Sequence, residues 1–188
     1  MTFHPNEKTF KKLGVALEQT FSRLNEGLDL VDSLDQATEE HDREVFAALT
    51  AVQVHHSWHS IVKLFRRIAN EVDNGVPKGT GAARQLLEQM TQRTNVRPSI
   101  LDRRHREMAQ KISEFHKDFR NASIRQHSRR EVIEFIEFMN DEIVPSILEN
   151  VRLLALTAPG GSKYVSHLRP QGGSGEQAVQ FDQVKKSA

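Results

Sequence analysis

The chain has 188 residues, enough for one folded unit with appendages, and no cysteine, which excludes a disulfide framework, thiolate metal sites and a cysteine nucleophile. Net charge is only +1, yet ten Lys and Arg lie between Arg97 and Arg130 against four acids, a local excess of +6 that leaves −5 elsewhere. No apolar run approaches the ~20 residues needed to span a bilayer, and Met1–Lys12 lacks an apolar leader core; the expectation is a cytoplasmic chain with no membrane partner.

The first element is a helix: Phe10, Leu13, Leu17, Phe21, Leu24, Leu28 and Val31 recur every three or four residues, behind an Asn6 placed to cap it. A second long helix is expected from about Thr38, as cap, to Val72, with Phe46, Leu49, Val52, Ile61, Phe65, Ile68 and Val72 as its apolar stripe. The Gly- and Pro-rich run 73–81 reads as a loop, followed by a short helix over 82–92 with Leu86, Leu87 and Met90. Pro98 fits the first turn of the next helix, which carries Ile100, Leu101, Met108, Ile112, Phe115 and Phe119. The last helix begins at Ser128, with Glu131 three residues on as a capping box, and Pro145 predicts a kink or break near Ile143. From Ala158 onward Gly and Pro accumulate without apolar periodicity. The fold class is therefore all-α: an up-and-down bundle of four main helices plus a short one over residues 1–157, with a disordered tail over 158–188.

Three groups of side chains invite a chemical reading. His55 and His59 are four apart on the second helix, with His56 beside them and His41 upstream, so one face could offer two metal ligands; no Glu-x-x-His completes a di-iron set, and a polar helix edge beside Trp58 explains the group better. Phe115, Phe119, Phe135 and Phe138 are spaced as core or as a dimer seam. Arg120, Asn121 and His127 form the third group. On a continuous helix Arg120 and His127 would share a face, about 10 Å apart along the axis. A guanidinium that grips phosphate and an imidazole that exchanges a proton near neutral pH suffice to cleave a phosphodiester beside a 2′-hydroxyl: the base takes the hydroxyl proton and the cation stabilises the phosphorane. The spacing alone proves nothing, since nine His and 16 Arg in this length give roughly two such pairs by chance. Its setting, inside the basic stretch and just before the last helix, gives it weight.

This arrangement resembles the HEPN superfamily, in particular its abortive-infection-like branch: helical bundles with an Arg followed, after four to six residues, by a His, often with Asn, Asp or His directly after the Arg. Here these are Arg120, Asn121 and His127 at the longest spacing; the likeness extends to Val62–Ala69 and Thr80–Met90 and spans roughly residues 40–155. Gln126 stands where the family often has a small residue. The resemblance implies a metal-independent ribonuclease of toxin or defence type with no cofactor, two copies sharing one cleft, RNA as partner and a neutralising protein as another. Within it Arg120, Asn121 and His127 are catalytic, and Arg125, Arg129 and Arg130 are suited to binding RNA. Two readings stay open beside it: a non-catalytic module for dimerisation or partner binding, as some family members are, and a histidine-based metal-binding bundle.

Overall fold

The computed structural model describes residues 6–73, 75–121, 127–158 and 163–168. They form the expected all-α, up-and-down bundle, with no strand among the described residues. Helix α1 (Glu7–Gln36) starts at Asn6, whose Oδ1 accepts from the Thr9 N–H at 3.1 Å. Helix α2 (Glu40–Glu71) runs antiparallel to it: Lys12 pairs with Glu71, Arg67 donates to the Lys12 carbonyl, and Gln53 donates to Glu26, so partners rise along one helix as they fall along the other. The cap expected at Thr38 is absent; Glu39 takes the position and supplies no side-chain hydrogen bond.

α2 is the hub, packing against α1, against the short α3 (Ala82–Thr91), against α4 (Arg106–Arg120) and against α5 (Arg129–Phe138). Its buried face runs through Thr50, Val54, Ser57, Trp58, Ile61, Phe65 and Ile68. The apolar stripe expected through Leu49 is thus displaced in its first half: Val45 and Leu49 are exposed, and Phe46 and Val52 are only partly buried. Gly27 of α1 lies so near α5 that a Cβ there would meet Ile136 Cδ1 at 2.7 Å.

α4 begins at Arg106 rather than at Pro98, after a 3-10 turn over Arg103–His105 capped by Asp102. The reason is tertiary. Arg97, with a side chain wholly buried, donates to both carboxylate oxygens of Asp73 at 2.7 Å and to the carbonyls of Gln89, Gln92 and Pro98. The Ile100 and Leu101 N–H groups are spent on the Met90 carbonyl. Those bonds hold residues 92–102 as a clasp over α3, at the expense of an earlier helical start.

α5 opens on the predicted Ser128–Glu131 capping box. The break expected near Ile143 is a π turn, Met139–Ile143, leading into α6 (Val144–Thr157). Pro145 has no N–H, and the widened turn, in which the Val144 N–H reaches Met139, absorbs the missing rung. Packing continues past Ala158: Tyr164 stacks on Phe10 at 4.9 Å, and Leu168, in a 3-10 turn over Val165–Leu168, is buried. The rest of the expected tail lies outside the described residues. Among the described residues no helix is long and apolar enough to cross a membrane.

Candidate active site at the junction of α4 and α5

Arg120 is the last residue of α4, and Asn121 closes the helix, its N–H donating to the Lys117 and Asp118 carbonyls. His127 immediately precedes the Ser128 cap of α5. The three residues therefore flank a break between two helices instead of sharing one continuous helical face. The break is dictated locally, because the Ser128–Glu131 box satisfies the first N–H groups of a new helix. Bonded to the Ser128 N–H and hydroxyl, the Glu131 carboxyl is held below its ordinary value. Arg125 lies outside the described residues.

Arg120 and Asn121 are exposed. His127 is set deeper, with 15% of its side chain exposed. Its Nε2 lies 3.4 Å from Asp118 Oδ2, and its ring meets the edge of Phe115 at 4.9 Å. Its Nδ1 is enclosed without a partner among the described residues. No hydrogen bond joins Arg120 to His127; what the fold brings to His127 is a carboxylate and two phenyl rings, Phe115 and Phe135. Phe115 and Phe135 are core, as their spacing predicts, while Phe119 and Phe138 are partly buried at its rim.

Half of the ten cations in the basic stretch are paired with acids in three dimensions. Arg97 is spent on Asp73, Arg104 on Asp102 and Glu142, Arg106 on Glu88, and Lys111 on Glu107. Arg129 donates to Glu40 of α2 at 2.8 Å, a bond that holds the Glu40 carboxyl below its ordinary value. Arg130 is exposed on α5, beside Glu134 and Glu137. Arg120 and Lys117 at the end of α4 are exposed and paired with no acid among the described residues.

The histidines are arranged differently from the sequence expectation. His116 of α4 joins the α2 group: its ring stacks on His55 at 4.2 Å and lies near-parallel to His59 at 5.8 Å, while His55 stacks on Phe119 at 4.4 Å. Burial, the neighbouring imidazoles and Arg120 hold His116 far down, at about 4. His55 is also lowered, by burial and then by His56, His59 and Arg120. Imidazole lone pairs lie in the ring plane, so stacked rings do not converge on one point, and among the described residues no group of three or more His, Asp or Glu side chains could hold a metal ion. His116 was legible in principle: four residues after Ile112 and three before Phe119, it falls on the face that α4 turns to α2.

Neither curated proteins nor solved structures yield a match. A family described as HepT-like protein matches residues 49–149, just over half of the chain, from the first third of α2 into α6 and across Arg120, Asn121 and His127. The chain belongs to the HepT-like family of the HEPN superfamily.

Proposed function

We propose that this chain is a metal-independent endoribonuclease of toxin or defence type, acting as a homodimer in the cytoplasm, with Arg120 and His127 as its working pair. The observation that carries the reading is the α4–α5 junction: an exposed guanidinium with no acid opposite it among the described residues and an imidazole held by a carboxylate, at the two sides of one helix break, inside the segment the family match covers. Arg120 would grip the scissile phosphate and stabilise the charge that builds on its oxygens. With Nε2 held by Asp118, His127 would take the 2′-hydroxyl proton on Nδ1 once RNA binding uncovers that nitrogen, and the 2′-oxygen would displace the 5′-oxygen, which leaves with a proton from a second imidazole. A paired copy supplies that second imidazole. Asp118 is a positioning residue: its carboxylate fixes the ring through Nε2. Asn121, which caps α4, would help orient the site.

The exposed Val45 and Leu49 lie on α2 between Glu40, which holds Arg129, and His55, which stacks on Phe119. A second copy would cover them, and a neutralising protein of the kind the family implies would compete for the same cleft. Arg125, Arg129 and Arg130 would follow the RNA backbone outward, with Arg129 first exchanging Glu40 for phosphate.

One observation favours a second reading, a non-catalytic partner-binding module: His127 is mostly packed away, with Nδ1 enclosed. The two are separated by incubating RNA with the protein in excess chelator. The catalytic reading expects cleavage that His127→Ala abolishes. Equal cleavage by both proteins would sink the assignment to His127, and no cleavage by either leaves only the module.

A further inference from the structure

The histidine column and the cations around it form a surface of their own. His59, His116, His55 and Phe119 stand in sequence as four near-parallel rings, with interplanar angles of 20°, 16° and 24° between neighbours. Phe119 then meets Phe115, and Phe115 meets His127, so ring contacts run without interruption from α2 to the motif histidine. The column is partly buried along its middle and ends on α2 at His59, which is exposed. Around that end stand Lys63 and Arg66, both exposed, and their charges, with that of Arg120, act on the His59 ring. None of the three is paired with an acid among the described residues.

On α2, His56, His59, Lys63 and Arg66 follow one another at spacings of three and four, so they occupy one face. Counting along the chain points to residues 97–130, where five of the ten Lys and Arg are paired with acids; this face of α2 adds two unpaired cations outside that stretch. A neutral flat ring presented at the surface is a stacking platform for any nucleobase, and unpaired cations beside it track the backbone. Burial and the surrounding positive charge favour the neutral form of these imidazoles, so the platform persists at physiological pH.

We infer that the His59 end of this column, with Lys63 and Arg66, binds a nucleotide of single-stranded RNA flanking the phosphate held at Arg120, the base lying on the imidazole and the adjoining phosphates on the two cations. The inference rests on the preceding reading for its choice of RNA as ligand, not for cleavage.

It is tested by fluorescence anisotropy with a short labelled oligouridylate and the full chain carrying His127→Ala, so that nothing is cut. Adding His59→Ala weakens binding roughly fivefold or more, and His59→Phe, which keeps a ring, restores it. Lys63→Gln with Arg66→Gln lowers the slope of log affinity against log salt by about 1.4, the value for two single-strand phosphate contacts. Arg103→Gln, in the 3-10 turn that precedes α4, leaves affinity unchanged. Unchanged binding in His59→Ala, an equal loss in Arg103→Gln, or no binding by the His127→Ala protein overturns the inference. Cleavage by the wild type is read separately. If it occurs while the His59 and Lys63/Arg66 variants bind as before, only this inference fails; if it is absent while binding depends on His59, only the catalytic reading fails.

Discussion

Arg97 and Arg120 belong to one basic stretch and have opposite fates. The first is sealed inside the clasp over α3, with five hydrogen bonds distributed over Asp73 and three backbone carbonyls. The second stands in solvent at the end of α4, with no acid facing it among the described residues. A buried guanidinium is tolerated only when its donors are matched, and one so matched has nothing left to offer a ligand. An exposed, unmatched one contributes little to stability and remains available. Charge counted along the chain cannot separate the two; partner geometry does.

The largest effect that contrast implies is on folding. Arg97→Met strands Asp73 as an uncompensated buried carboxylate and should cost about 3–5 kcal/mol in urea denaturation, whereas Arg120→Met should stay within about 0.5 kcal/mol of the parent. Similar losses in both would erase the distinction between structural and available arginine. Ser128→Ala comes next: it removes the cap that starts α5 beside His127 and should lower stability by about 1 kcal/mol, with Ser128→Asp restoring most of it. A silent Ser128→Ala would mean that the helix break does not depend on its capping box.

A third effect concerns acid. His116 binds its proton less readily folded, at about 4, than unfolded, at about 6.5. The unfolded chain therefore takes up more protons between those values, and stability contributed by the neutral ring is fully present above about pH 6.5 and lost as pH falls toward 4. His116→Phe, which keeps the stack and cannot titrate, should flatten the fall of Tm across that window. An identical slope in both proteins would show that the column does not carry the pH dependence.

Local signals in the sequence are legible where local chemistry decides. Asn6 and Ser128 cap the helices they were expected to cap, and Pro145 sits at a distortion because a missing N–H acts wherever the residue is placed. Failures cluster where distant residues decide. Pro98 would open a helix in isolation, but Asp73 and Met90 claim the backbone and side chains around it. Leu49 fits the apolar period of α2, yet the helix rotates its first half so that Thr50 and Val54 are buried instead. For the candidate site, the pair itself was legible as a motif, while Asp118 beside His127 and His116 among the α2 histidines depend on how α4 lies against its neighbours.

The most direct measurement is a double-mutant cycle on RNA cleavage, comparing wild type, Arg120→Ala, His127→Ala and the double variant in chelator at matched folded fraction. Residues acting on one phosphodiester in one step are not additive, so each single change should cost roughly 10²–10⁴-fold and the double little more than the worse single. Single variants as active as wild type, or losses that multiply in the double, would contradict the account that Arg120 and His127 act as one unit.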